Sequence, residues 1–404
     1  VALVTRCLPP GVLRPVSPSL SRLAAAFCAL LAVPGCPTEP PGDLADDPLR
    51  YMQSASYRRA ILERDLLAPD NGYGRDRMNN YGHGDRGWDL LPAVDRPSRP
   101  MLQADLDAMV AGAGLPDGAP LTTLVPDALP TTDAEWIELG RRVFFEYPLR
   151  PDPTYEALSR IADGPDDVGF LRDPTGALVG LRVFEGDAGA LRVGNTCAQC
   201  HASYGGRTEP ALDGVLANRA MDLGAARLLV MGLTPGDLPP ESESTAVGDL
   251  DRLGPGRGDV MADGEFNPFA FPDFGGLGQM PLLHHDANWT QRGIATLAVR
   301  CETLFITSSN LVARIPRELS WAIAMWQRSL PAPEPLDAEG SAEAERGEEV
   351  FEEASCASCH VPPLYTLDTG IDVESIGTDP SAGLSSVRGT GRYRVPSLRG
   401  VGRT

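Results

Sequence analysis

The sequence predicts a mainly α protein: two small helical domains, an irregular N-terminal extension and a small β-hairpin insertion. Three observations predict it. Apolar residues recur at helical spacing in several separated segments. Two C-x-x-C-H runs, Cys197-Ala198-Gln199-Cys200-His201 and Cys356-Ala357-Ser358-Cys359-His360, mark the centre and the C-terminal part of the chain. Stretches rich in Gly, Pro, Asn and Asp separate the helical segments.

At the N-terminus, Arg6, Arg14 and Arg22 precede an apolar run from Leu23 to Val33. That run is too short to span a bilayer and has the length of an export-signal core. It ends Val33-Pro34-Gly35-Cys36, which resembles a bacterial lipoprotein box. Residues 1–36 are therefore expected to be a signal, with Cys36 the lipidated first residue of an exported, membrane-anchored chain; ordinary signal cleavage is the alternative. Residues 37–130 read as a tether and irregular extension. Residues 37–47 are rich in Pro and acids. Residues 50–67 are helical in pattern, with Tyr57, Ile61 and Leu62 as apolar contacts. Residues 69–100 and 111–130 read as irregular, with His83 an exposed loop residue between two glycines.

Residues 131–331 form the first expected domain. A helix begins near Asp133, where Thr131, Thr132 and Asp133 are capping residues and Trp136, Leu139, Val143 and Phe144 share a face. Residues 168–183 read as a β-hairpin around Asp173-Pro174-Thr175-Gly176. The first C-x-x-C-H follows, then a helix at 219–231 and a polar loop at 238–264. Helices are expected at 293–305 and 316–330, the latter with Leu319, Ile323, Trp326 and Leu330 on one face. The run Pro331-Ala332-Pro333-Glu334-Pro335 ends it as a linker. Residues 337–404 form the second domain, whose helix at 342–351 leads into the second motif.

The 404-residue chain carries 35 basic residues, all Arg, against 55 acidic ones, a net charge of −20. Such a balance argues against nucleic acid and against charge-driven binding to anionic lipid. The plainer reading is a solvated surface that aids solubility; the balance would also suit a basic redox protein as electron donor or acceptor.

The C-x-x-C-H pattern is that of covalent haem attachment. Two thiols three positions apart reach the two vinyl groups on one edge of a haem, and the adjacent His supplies a nitrogen to the iron. Two c-type haems are thus expected, on Cys197 and Cys200 and on Cys356 and Cys359, with His201 and His360 as proximal ligands and each domain cytochrome c-like. A four-Cys zinc site has no use for a His after each pair. A redox C-x-x-C sits in a βαβ unit, and neither flank reads that way. Covalent haem agrees with export to the periplasm. Cys301 is left alone and reads as a buried small hydrophobe.

Glu138-Leu139-Gly140-Arg141-Arg142-Val143-Phe144 resembles the helix before the first haem of bacterial di-haem cytochrome c peroxidases. Arg346-Gly347-Glu348-Glu349-Val350-Phe351 is similar to the matching helix of the second domain, and Tyr393-Arg394-Val395-Pro396-Ser397-Leu398-Arg399 to the segment after the second haem. The wider superfamily includes the methylamine-utilisation di-haem enzyme and the rubber oxygenases. Gly254-Pro255-Gly256-Arg257-Gly258-Asp259 and Leu283-His284-His285-Asp286 look closest to the rubber-oxygenase-like branch. The resemblance covers positions 134–404. It implies a calcium ion between the domains, and a segment beyond Thr404 that supplies the distal ligand of the second haem. The family's peroxide-cleaving glutamate has no clear match; Glu302 is the nearest acid, in the wrong register.

The distal ligand of the first haem decides between electron transfer and catalysis, because an iron with two protein ligands carries electrons and one with an open position binds peroxide or oxygen. His285 is the first choice, Met280 the second and His284 the third; the alternative is that the His pair hydrogen-bonds a haem propionate. Arg257, Arg292, Arg300 and Arg314 are candidates to neutralise propionates. Trp289, Trp321 and Trp326 stand near a haem or simply in the core. The leading expectation is a di-haem electron-transfer protein. The alternative is a peroxidase that reduces hydrogen peroxide at the first haem with electrons supplied through the second.

Overall fold

Helices form where an apolar stripe meets a cap. The computed structural model describes residues 44–401, apart from 159–164, 187–188, 206–210, 240–241, 243–244, 262 and 334–340. The expected signal and lipidation site at Cys36 lie outside the described residues, as do the first half of the tether and most of the linker after Pro333. The fold is mixed, about 41% helical with small antiparallel sheets. The expectation of a single hairpin was too sparse: one three-stranded and four two-stranded sheets occur among the described residues.

Three helices build the main core: Asp133–Glu146, Ile294–Ser308 and Arg317–Ser329. The first starts with a reciprocal cap, in which Glu135 N–H donates to Thr132 Oγ1 at 3.3 Å and Thr132 N–H donates to Glu135 Oε2 at 3.0 Å. Its stripe of Trp136, Leu139, Val143 and Phe144 is buried as the spacing predicts. Leu319, Ile323 and Trp326 on the third helix are buried as well, and the Trp326 ring lies 4.3 Å from that of Phe144. Each such side chain contributes about 1.5–3 kcal/mol of burial free energy. Trp289 and Trp321 belong to the same core.

Several segments depart from the expected pattern for local reasons. The helix expected at 50–67 is two helices, Pro48–Gln53 and Ala55–Asp65. Ser54 is extended, and its hydroxyl accepts from Tyr57 N–H at 3.1 Å, so one residue ends the first helix and caps the second. The stretch at 69–100 holds a helix, Gly72–Asn80, capped by Asn71. Arg77 fastens it to the core by donating to Thr303 Oγ1 at 3.2 Å, a tertiary contact that composition does not reveal. Ala246–Leu253 is likewise helical inside the expected loop.

The Asp173–Gly176 turn exists, but only Arg172 and Leu178 bridge across it. The larger hairpin lies just downstream, where Leu181–Glu185 pairs antiparallel with Leu191–Asn195. Ser98–Pro100 adds a third strand to it. This sheet delivers the chain directly to Cys197.

The described residues belong to one compact unit, Asp43–Thr404. The Ala342–Glu353 helix before the second motif buries no residue, unlike its counterpart before the first. Contacts farther on tie the C-terminal part in place: Arg394 N–H donates to the His285 carbonyl at 2.8 Å and Thr390 Oγ1 to the Asp286 carbonyl at 2.6 Å. Among the described residues no helix is long and apolar enough to cross a membrane.

Candidate cofactor sites

Each C-x-x-C-H run folds as one tight turn. In the first, His201 N–H donates to the Cys197 carbonyl at 3.2 Å; in the second, His360 N–H donates to the Cys356 carbonyl at 2.9 Å. All four thiols are free. Cys197 packs on the main core and Cys200 on a second apolar cluster built around the hairpin. The first pair thus lies where two apolar masses meet, and burial pushes both thiols up to about 12.

The two His rings are held alike. His201 Nδ1 lies 3.1 Å from the Pro272 carbonyl oxygen, and His360 Nδ1 lies 3.0 Å from that of Tyr365. A carbonyl only accepts, so Nδ1 carries the proton in both rings and the Nε2 lone pair is left available. This is the tautomer and the outer contact that a metal-ligating imidazole requires. Phe274 stacks on His201 at 4.6 Å and 13°, fixing the ring plane. Burial pushes His201 down to about 4, which keeps the ring neutral.

The second motif opens into a cavity of about 740 Å³ lined by Cys359 and His360. That volume falls in the range of roughly 300–1,000 Å³ usual for cofactor pockets. Phe266, Phe269, Ile371, Tyr393 and Val395 give it apolar walls, and Asn267, His285, Thr378, Asp379, Ser381 and Arg394 add polar groups. The four cysteines do not converge: among the described residues no three His, Cys, Asp or Glu side chains gather as a metal cage.

His285, expected opposite His201, lines the cavity of Cys359 and His360, its ring held between Phe269 at 4.8 Å and Tyr393 at 5.2 Å. The described ring and hydrogen-bond contacts of His201 are Pro272, Phe271 and Phe274. Met280 is buried after the short Leu277–Gln279 turn and is not among them. His284 Nε2 accepts from Arg300 Nε at 3.2 Å. His83, expected to be exposed, is half-buried, with its Nε2 3.2 Å from the Met78 carbonyl oxygen.

Of the arginines proposed to face propionates, Arg292 is exposed and pairs with Asp65 at 3.2 Å. Arg257 is exposed, and Arg314 donates to its neighbour's carbonyl, that of Ile315. Only Arg300 stands near the first motif, where its charge acts on Cys197 and His201. Cys301 is buried, as expected. Glu302 is fully enclosed and accepts from Tyr51 at 2.8 Å, Tyr81 at 2.5 Å and Arg317 at 3.0 Å.

The segment from Phe266 to Phe274 was missed. Its first half lines the second cavity, and Phe271 and Phe274 pack on His201, so one short stretch touches both motifs. Four phenylalanines within a polar, Gly-rich region were the available signal. Comparison with protein-family models, curated proteins and solved structures finds no match for this chain.

Proposed function

We propose that the chain is an exported di-haem c-type cytochrome that transfers electrons, with haem bound covalently at Cys197 and Cys200 and at Cys356 and Cys359. The reading is carried by one observation: both motif histidines hold a protonated Nδ1 against a backbone carbonyl and leave Nε2 available. Free thiols in both turns and an apolar cavity beside His360 fit the same group. When bound, haem supplies an iron that cycles between ferric and ferrous states. The chain orients that iron's ligands. Pro272 and Tyr365 fix the tautomers, Phe274 fixes the His201 plane, and the apolar walls beside His360 offer a face for the ring. His285, which lines the His360 cavity, is the distal candidate for the second haem rather than the first. Membership of the di-haem peroxidase superfamily, two cytochrome c-like domains, a periplasmic location anchored at Cys36, and a small basic redox partner belong to the same proposal; they rest on the sequence.

The test is chemical. The purified protein, made with the cytochrome c maturation machinery, should carry two haems that survive denaturing electrophoresis. Cys197→Ala with Cys200→Ala should remove one of them. A native protein that binds zinc and no haem would overturn the proposal.

Peroxide reduction at the first haem is the second reading, and the position of His285 favours it: the residue expected to close that iron lines the other cavity. A high-spin ferric signal at the first haem, with peroxide turnover from a reduced donor, is the outcome that would place this reading first.

A further inference from the structure

Most buried or half-buried arginines in this protein have a carboxylate partner. Arg58 pairs with Asp89, Arg99 with Asp105, Arg219 with Asp273 and Arg317 with Glu302. Arg314 has no such partner, and one whole group breaks the pattern. Arg77 is 3% exposed, lies 3.3 Å above the Tyr73 ring and donates only to the Tyr73 carbonyl and the Thr303 hydroxyl. Arg388 lies 5.0 Å from the same ring. That ring meets His284 edge-on at 5.5 Å, and Arg300 Nε donates to His284 Nε2. Arg394, whose backbone is bonded to His285, completes the group. No ion pair joins any of these four arginines to a carboxylate among the described residues.

Arg77 is buried and the other three are half-buried; cations held away from water without a partner charge are costly, so such a cluster implies an anion. Two donors in the cluster have no acceptor at all: His284 Nδ1 and Arg394 Nε. His284 is also held at φ 66°, a left-handed conformation that non-glycine residues rarely adopt. The two acids whose charge reaches the cluster, Asp76 at Arg77 and Asp286 at Arg388, form no ion pair with it; burial raises the Asp286 carboxyl, and its Oδ1 has no partner. Arg394 lines the second cavity, and Arg300 precedes Cys301, which lies in the core cluster against which Cys197 packs. Planar guanidinium forks match carboxylates bidentately. Haem brings two carboxylates to each site.

We propose that Arg77, Arg300, Arg388 and Arg394, gathered around His284, form a carboxylate-binding cluster that takes propionates of the bound haems. This rests on the haem reading above. Each arginine would then also raise the potential of the neighbouring iron, because positive charge disfavours the ferric state.

The test uses the holoprotein, with haem content measured first. Wild type without haem overturns the haem reading, and this proposal with it. With two haems present, Arg300→Gln and Arg388→Gln are compared by potentiometric titration; Arg77 is left intact because it also ties helices together. Both variants should keep two haems, and the potential of at least one haem should fall by about tenfold in the reduction equilibrium, about 59 mV for a one-electron couple. Arg300→Lys and Arg388→Lys keep the charge and should stay near wild type. Unchanged potentials in both Gln variants would overturn the proposal, and so would an equal fall in the Lys variants. Inorganic phosphate is then titrated into wild type. A saturable shift that Arg300→Gln abolishes would mean that the cluster takes a free oxyanion, and would overturn the propionate assignment.

Discussion

The Glu302 carboxylate accepts a hydrogen bond from Arg317 Nε at 3.0 Å, linking the Ile294–Ser308 and Arg317–Ser329 helices. Tyr51 and Tyr81 donate to its other oxygen, and Arg317 passes on to Asp89 at 2.9 Å. Glu302 therefore clamps the N-terminal helices onto the core. Removing one partner of a buried ion pair costs about 3–5 kcal/mol. Glu302→Gln should lower the denaturant midpoint accordingly and leave haem content and peroxide turnover per haem unchanged. Loss of turnover at wild-type stability would give Glu302 the acid/base role instead.

Gly140 is the second such point. A Cβ built there lies 1.9 Å from the Ala322 carbonyl oxygen and 2.7 Å from Trp326 Cβ. Backbone contact between the Asp133–Glu146 and Arg317–Ser329 helices thus requires glycine. Gly140→Ala should destabilise by about 1–3 kcal/mol through overpacking, although alanine is the better helix former. Equilibrium urea unfolding gives the sign directly.

These two residues show what the sequence carried and what it did not. The apolar stripes at Trp136 to Phe144 and at Leu319 to Trp326 were legible because burial imposes helical spacing. Both C-x-x-C-H turns were legible because local spacing determines them. The carbonyls of Pro272 and Tyr365 were not, since a backbone acceptor leaves no mark on side-chain identity. The surroundings of His285 were not legible for a related reason. Its sequence distance favoured the first motif, while the return of Tyr393 and Arg394 beside it, a contact about a hundred residues away, sets its surroundings. Glu302 read as an acid near a motif, and only its partners Tyr51 and Tyr81, remote in sequence, give it a structural role.

Asp89 gives a pH signature. Burial opposes its ionisation, but hydrogen bonds and charge from Arg58, with the His83 N–H and Arg317, outweigh this and hold the carboxyl below its usual range. A depressed carboxylate contributes stability above its unfolded pKa of about 3.9 and loses it as pH falls through the folded value. Asp89→Asn should therefore be less stable than wild type at pH 7, where Arg58 is left buried without its charge partner. The gap should narrow below pH of about 3.9. A gap independent of pH would mean that shape rather than charge sets the contribution of Asp89.

His285 allows the two sites to be told apart. Its ring stands in the cavity with His360, clasped by Phe269 and Tyr393, and its carbonyl takes the Arg394 N–H. Truncating the ring costs about 0.5–1.5 kcal/mol per aromatic contact, too little to unfold the chain. The comparison uses two single-haem backgrounds. One carries Cys197→Ala with Cys200→Ala and keeps the second site; the other carries Cys356→Ala with Cys359→Ala and keeps the first. Adding His285→Ala should change the optical and paramagnetic resonance spectra of the first background, because a ring lining the His360 cavity is lost. In the other background the spectra should stay as they were. The reverse pattern would restore His285 as the distal residue of the first haem. It would also require the cavity around Cys359 and His360 to rearrange when haem is attached.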